Sequence, residues 1–386
     1  MLPAVDDYRQ AARRRLPRLV FDYLEGGAED GHAMARNRAA FDATLFQPRI
    51  LRDVGEVDAS VDLFGFRAAL PAVVGPTGLN GLYHPRAEEA LARAAHAAGL
   101  PFAMSTASTS LFEAVRAATD GPLWLQLYVQ QDRRIAEETM RRARALDFRV
   151  LLLTVDTPVH GKRDHDVRNG FRMPLRLTPR LLADLATHPR WCLRMLRQGG
   201  SPQLVNLARS AGVPADMAAQ AATMSRQMDT GLVWDAIAWM RRHWRGPVLV
   251  KGVMSLHDAR LAAQHGADGV VLSNHGGRQL GSAPAPLQLL PQVMDAVGDR
   301  LRVFVDSGVR RGADLVKARA MGAHAVLLGR APLYGLAARG PDGVAEVLRI
   351  LRDECEIALR LVGVPRAEAL DAAALSDDYR ERLARL

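Results

Sequence analysis

The sequence predicts an α/β protein, a (β/α)8 barrel of the TIM type with an N-terminal helical cap and a long insertion after the fourth strand. Three observations carry the prediction. Eight short runs rich in β-branched and apolar residues recur along the chain, apolar on both faces as in a covered parallel sheet. Helix-length segments separate most of them, the alternation expected of βα units. A repeated joint (AAGLPF, QHGADG, AMGAHA) places a glycine at a helix C-terminus just before the next strand. A doubly wound sheet would want a GxGxxG turn after an early strand, and none is present.

Taken in order, residues 1–70 precede the first strand and carry helical patterns, so they should cap one end. Strands are expected at 71–75 (PAVVG), 101–105 (PFAMS), 123–129 (LWLQLYV), 149–156 (RVLLLTVD), 248–252 (VLVKG), 268–274 (DGVVLSN), 301–306 (LRVFVD) and 323–329 (AHAVLLG). Helices are expected at 85–98, 132–146, 256–264 and 314–321. Some ninety residues separate the fourth and fifth strands, far more than one helix needs. The whole of 1–386 reads as one domain: cap 1–70, barrel 71–363 with an insertion at about 172–230, and a tail at 364–386.

With 386 residues, 48% hydrophobic and 24% charged, the composition is that of a soluble globular protein. No run approaches the roughly 18 apolar residues of a membrane-spanning helix. The first residues read as the start of a folded chain, not a secretion signal. Cys192 and Cys355 stand far apart without metal-type spacing, which fits a reducing cytosol and argues against a disulfide framework or a metal site. The net charge of +9 raises the question of nucleic acid. Among 51 basic residues, however, only Lys162, Lys251 and Lys317 are lysines, a skew that resembles codon habit, and no basic-aromatic interleaving appears. Nucleic acid is not an expected partner. Where lysine survives in such a chain, a compact ammonium is wanted.

Barrel enzymes concentrate their chemistry at the C-terminal ends of the strands. Here those ends run into Thr77-Gly78, Ser105, Gln126 and Tyr128, Thr154 and Asp156, Lys251, His275 and Arg278, Asp306 to Arg310, and Gly329-Arg330. Singly, each has an ordinary structural role: a strand-end aspartate often caps a helix, and a glycine pair is usually a turn. Together, all eight units bring polar groups to one end. The last two units form a phosphate cradle, with glycines for close approach and arginines nearby. Ser105, Gln126 and Thr154 suit the edge of a flat polar ring, and Lys251 a negative charge developing at one end of it. His275 is left as the base with Asp156 to orient it. Arg278 and Arg163 suit a substrate carboxylate.

The segment SNHGGRQL, with LVKG before it and DSGVRRGADLVKARAMGAHAVLLGR after it, resembles the FMN-dependent 2-hydroxy-acid dehydrogenase/oxidase family. The likeness runs from FDYLEGGAED, near residue 21, to about residue 363. It implies FMN as cofactor and oxidation of an (S)-2-hydroxy acid to the 2-oxo acid. It makes His275 the base, Arg278 and Tyr23 the carboxylate ligands, Tyr128 the neighbour of the substrate hydroxyl, and Arg163 a second cation over the site. Ser273 joins Thr77, Gly78, Ser105, Gln126, Thr154 and Lys251 around the flavin, with the phosphate at Asp306, Gly308, Arg310, Gly329 and Arg330. YLEGGAED, GPTGLNG, STAS, HPRW, MSRQMD and LLGRAPLYGLAARG resemble the mandelate-oxidising branch, and Gly78 and Ala107 imply room for a phenyl group. Two departures stand out: Asp306-Ser307-Gly308 for the commoner Asp-Gly-Gly, and Gly281 where aspartate usually follows. A homotetramer is implied as well.

In the insertion, HPRWCLRMLRQ puts Arg190, Arg194 and Arg197 on one helical stripe and Trp191, Cys192, Met195 and Leu196 opposite. That pattern predicts an interfacial membrane helix, the alternative being a lid or an oligomer contact. HPRW resembles the anchor of membrane-bound family members, which implies a quinone as electron acceptor at the inner face of the cell membrane. Oxygen is the acceptor otherwise, and a lactate-like acid the other substrate. A barrel binding a phosphorylated ligand without redox chemistry is the rival of a different class.

Overall fold

A computed structural model describes residues 1–171, 178–212, 220 and 228–377. Eight parallel strands close into a barrel: β3 (Ala72–Val74), β4 (Phe102–Ser105), β5 (Leu123–Leu127), β6 (Phe148–Thr154), β7 (Val248–Val253), β8 (Gly269–Leu272), β9 (Arg302–Val305) and β10 (Ala325–Leu328). Each pairs with its neighbour in sequence, and β10 closes on β3. The expected strands and helices are all found, with the strands mostly shorter by a residue or two at their ends. Asp156, Asn274, Asp306 and Gly329 lie just past the ladders, where the backbone turns and polar side chains reach into the mouth. Gly99, Gly266 and Gly322 at the helix-to-strand joints have φ of +70°, +80° and +100°, the left-handed region that glycine enters without a Cβ penalty.

The N-terminal region differs from a purely helical cap. Helices at Val5–Arg15, Arg18–Glu25 and His32–Ala43 are followed by an antiparallel hairpin, β1 (Val61–Leu63) and β2 (Phe66–Ala68). Its two-residue turn is Phe64-Gly65, both at positive φ, the conformation that matches strand twist in tight hairpins. Phe64 stacks on Phe304 and meets Trp124 edge-on, and Ala69 N–H donates to Gly99 O in the loop before β4. The hairpin therefore plugs the end where strands begin. The helix Arg18–Glu25 lies at the other end, where Tyr23 joins the mouth. Two separate pieces of 1–70 thus close the two ends.

Three-residue strands around a bulky turn residue carry too little alternation to be seen in advance. The C-terminal tail is tied down by bridges from Leu375 to Phe46 and from Arg366 to Asp58. No helix among the described residues is long and apolar enough to cross a membrane.

In the insertion, helices run at Pro179–Ala186, Pro189–Arg197 and Val205–Ala211; residues 172–177, 213–219 and 221–227, including most of MSRQMD, lie outside the described residues. The expected stripe is rearranged. Trp191 Nε1 donates to Leu82 O, and Met195 is buried, so this side of the helix packs on the turn after Leu79. Leu193 and Leu196 face outward with Leu182, at 48%, 73% and 52% exposure. An indole N–H bonded to a main-chain carbonyl is an anchor to the body of the protein.

Candidate functional site

At the C-terminal end of the barrel lies a cavity of about 670 Å³, within the range of small-molecule sites. All eight strand ends supply its lining. Parallel pairing sets Ser105 beside Gln126 and Thr154 beside Lys251. Ser105 Oγ donates to Gln126 Oε1 (2.5 Å), and Gln126 Nε2 donates to Thr154 Oγ1 (2.9 Å). Three buried polar side chains thus form one chain of hydrogen bonds along the floor. Lys251 Nζ lies next, 3.0 Å from Asp306 Oδ2 and donating to Ser273 Oγ at 3.0 Å. Burial works against the Lys251 ammonium, but Asp306 and Asp156 outweigh it and hold its pKa above the ordinary lysine value. It stays charged.

The turn after β8 presents the base. His275, Gly276 and Gly277 have φ of +57°, +67° and +75°. A histidine there is strained, and such strain collects at functional sites. Asn274 Oδ1 accepts from Gly277 N–H, Ser307 Oγ accepts from Gly276 N–H, and Ser273 Oγ accepts from His275 N–H. His275 Nδ1 lies 3.0 and 3.2 Å from the two oxygens of Asp156, which leaves Nε2 toward the cavity, 3.5 Å from Tyr128 Oη. Burial alone would raise the Asp156 pKa. The neighbouring His275, its hydrogen bond and Lys251 overcome that and hold it below the ordinary aspartate range. Burial and the Asp156 charge push the Tyr128 phenol up, so it is a proton donor at neutral pH.

Two arginines meet at the mouth. The Arg278 guanidinium lies 4.9 Å from the Tyr23 ring centroid and donates through Nη1 to Tyr23 O and Gly26 O. Tyr23 stacks on Phe171 at 4.3 Å. Arg163 lies in the same lining; burial and the Arg278 charge lower its pKa, and its Nε is buried without a hydrogen-bond partner. Two guanidinium groups in the lining of one cavity are a place for an anion.

Every residue expected at the site is brought together, in two layers. Asp156 and Ser273 stand behind the lining, the first on His275 and the second between Lys251 and the His275 backbone; the others line the cavity. Arg330 has a further engagement. Arg330 donates to Leu24 O, Gly276 O and Gly26 O, so its side chain ties the cap to the base turn. Burial and Arg278 lower its pKa to about 10, which leaves it protonated. An anion there would meet the backbone at Gly329-Arg330, where a ten-residue helix begins.

The space a side chain would take at Gly281 holds the Glu29 carboxylate from the cap. Unforeseen lining residues are Thr157, His160, Phe171, Leu204 and Met228. They sit in the insertion and its approaches, where no periodic signal marked them. Gln279, within SNHGGRQL, donates through its side chain to Asp156 O and Val159 O and accepts from Gly161 N–H, clamping the loop that carries Arg163.

The flavin mononucleotide implied by the motifs fits this donor set. The floor chain and Lys251 offer acceptors, donors and a cation for a polar ring edge. Gly308 at φ +104° beside Arg310, and the helix start at Gly329, offer a phosphate site.

Comparison with known proteins agrees. The sequence model of the FMN-dependent dehydrogenase family matches residues 12–377. The chain is 46% identical to (S)-mandelate dehydrogenase of Pseudomonas putida over 97% of this chain and 93% of that protein. It is 41% identical to L-lactate dehydrogenase of Caulobacter vibrioides over 98% of each. The structure is similar to a crystal structure described as monotopic membrane protein (S)-mandelate dehydrogenase, with a TM-score of 0.94 and 45% identity, over 97% of this chain and 99% of the other.

Proposed function

Because the chain belongs to the FMN-dependent dehydrogenase family, we propose that it oxidises an aromatic, mandelate-like (S)-2-hydroxy acid to the 2-oxo acid and passes the electrons to a membrane quinone. FMN is the cofactor, and when bound it supplies the two-electron acceptor of the dehydrogenation. Thr77, Gly78, Ser105, Gln126, Thr154 and Lys251 would hold its ring end, with Ser273 behind them on Lys251. Asp306, Gly308, Arg310, Gly329 and the Arg330 backbone would hold its phosphate end.

The observation that carries the reading is the pair Arg163 and Arg278 beside His275 in the lining of one cavity. Arg278, Arg163 and Tyr23 clamp a carboxylate, and so fix the carbinol carbon and its hydroxyl near His275 Nε2 and Tyr128 Oη. His275 takes a proton at Nε2, and the Asp156 carboxylate at Nδ1 stabilises the resulting imidazolium. A barrel that only binds a phosphorylated ligand leaves this pair without a role.

The aromatic preference is supported by an apolar wall of Leu79, Ala107, Phe171, Leu204 and Met228. A lactate-like substrate is the second reading, favoured by the 41% identity to an L-lactate dehydrogenase. Attachment to the inner face of the cell membrane is supported by outward Leu182, Leu193 and Leu196 among Arg190 and Arg197, and by the monotopic membrane relative. The homotetramer belongs to the same proposal. Ile50 and Leu51, 84% and 99% exposed, are side chains that a subunit contact would cover.

The test is the visible spectrum of purified protein before and after anaerobic (S)-mandelate, with L-lactate in a parallel sample. A yellow protein bleached faster by mandelate is expected. Faster bleaching by lactate would overturn the aromatic reading alone. A colourless protein that FMN cannot reconstitute would overturn the whole. Peroxide formation in air, with no transfer to a quinone, would make oxygen the acceptor.

A further inference from the structure

Asp166 is the third residue of the short helix Asp164–Arg168 and is only 8% exposed. It has no part in the chemistry described so far. One of its oxygens lies 3.9 Å from Arg163 Nη1, beyond hydrogen-bond length. The other lies 3.9 Å from where a side chain on Gly26 would begin, and Gly26 O is a carbonyl to which Arg278 donates. The carboxylate therefore sits at the corner shared by both arginines. No hydrogen bond to its side chain occurs among the described residues, so it acts on them through charge, not as a clamp.

The other nearby carboxylates are engaged. Asp156 is bound to His275, and Asp22 accepts from Asn169 and Arg18. Of the three guanidinium groups near this corner, Arg330 is tied to the main-chain carbonyls of Leu24, Gly26 and Gly276, which leaves Arg163 and Arg278 to receive a substrate carboxylate, with Asp166 opposing their charge. A second negative charge would be buried without a partner, which is costly in a partly desolvated site.

Resting on the 2-hydroxy-acid reading, we propose that Asp166 is the charge-selectivity residue of this site: it offsets one of the two arginines, so that monocarboxylates bind and dicarboxylates are discriminated against. Asp166→Asn keeps the shape and removes the charge. The interaction energy between a fixed charge and a ligand scales with the ligand's charge, so the effect on a dianion is roughly the square of that on a monoanion.

The experiment is titration calorimetry of the FMN holoenzyme with three phenyl ligands: phenylglyoxylate with one carboxylate, phenylmalonate with two, and 2-hydroxy-2-phenylacetamide with none. Asp166→Asn should tighten phenylglyoxylate about threefold and phenylmalonate about tenfold, and leave the amide unchanged. Asp166→Glu, which keeps the charge, should retain the parent's ranking. Equal effects on the two acids would overturn the proposal. So would weaker binding of both acids, which would make Asp166 a support for Arg163. Loss of amide binding as well would make it a structural support of its helix, again overturning the proposal. If the parent holoenzyme binds none of the three, the 2-hydroxy-acid reading itself falls and takes this inference with it.

Discussion

Replacing Asp156 with asparagine removes one charge at nearly constant shape, at the point where the reaction creates a positive one. The carboxylate oxygens lie 3.0 and 3.2 Å from His275 Nδ1, so the charge centres of an imidazolium and Asp156 are about 4 Å apart. With an effective dielectric constant of about 20, that separation is worth about 4 kcal/mol. Lost from the transition state, it corresponds to about a 10³-fold slower step. Anaerobic stopped-flow at saturating hydroxy acid measures the step directly as loss of flavin absorbance. The expected result is a yellow protein whose flavin bleaches about 10³-fold more slowly. Substrate Kd should be little changed, because Arg163, Arg278 and Tyr23 are untouched. A loss smaller than tenfold would refute the reasoning, since Asp156 would then only orient the ring. Weakening confined to Kd would refute it too.

Gly78→Ala would bring a methyl within 2.9 Å of Ala107 Cβ. Overpacking of this kind costs about 1–3 kcal/mol, so turnover of (S)-mandelate should fall about tenfold and that of L-lactate less; equal losses would remove Ala107 from the aromatic wall. Gln279→Leu deletes the three hydrogen bonds that hold the 156–161 loop, with an expected cost of about 2 kcal/mol in denaturant unfolding and about tenfold weaker binding of the 2-oxo acid. Glu88 accepts from Thr109 and Ser110 behind the Ala107 loop, and burial raises its pKa. A raised folded-state pKa contributes stability that is present below the unfolded value near 4.5 and lost as pH rises through the folded one. Glu88→Gln should therefore match the parent in thermal melts at the acid end and exceed it as pH rises above the unfolded value; a constant difference would count against the sign. Ser307→Gly relieves a side chain at φ +73° but deletes the acceptor for Gly276 N–H, two effects of about 1 kcal/mol each. Melting should hardly move while flavin reduction slows; unchanged reduction would show that the brace does not position His275.

The barrel was legible because its evidence is repetitive: eight apolar runs, and joints where glycine meets the need for positive φ at Gly99, Gly266 and Gly322. Strand ends were legible as chemistry because parallel pairing carries Ser105, Gln126, Thr154 and Lys251 to one end whatever the loops do. What depends on contacts between distant segments was not legible. The tie from the Arg330 guanidinium to the carbonyls of Leu24 and Gly26 is one such contact. The Glu29 carboxylate beside Gly281, some 250 residues away, is another. Asp166 in KRDHDVR looks like one more charge on a solvated loop. Its burial against Arg163 comes from the packing of its helix on Arg18–Glu25.

The base turn shows why strained residues persist here. His275 and Ser307 are both non-glycine residues in the left-handed region, at a cost of about 1–2 kcal/mol each. Each turn supports the other: Ser307 Oγ accepts from Gly276 N–H and donates to Asp306 Oδ1 at 2.6 Å, while Asp306 pairs with Lys251. Lys251 in turn donates to Ser273 Oγ, which accepts from the His275 N–H. The bonds form a closed ring through β7, β8 and β9. A relaxed histidine rotamer on an extended strand end would save the strain but lose this ring, and with it the fixed approach of Nε2 to the cavity. The strain is therefore offset by the same residues that surround the cavity-lining Lys251 ammonium.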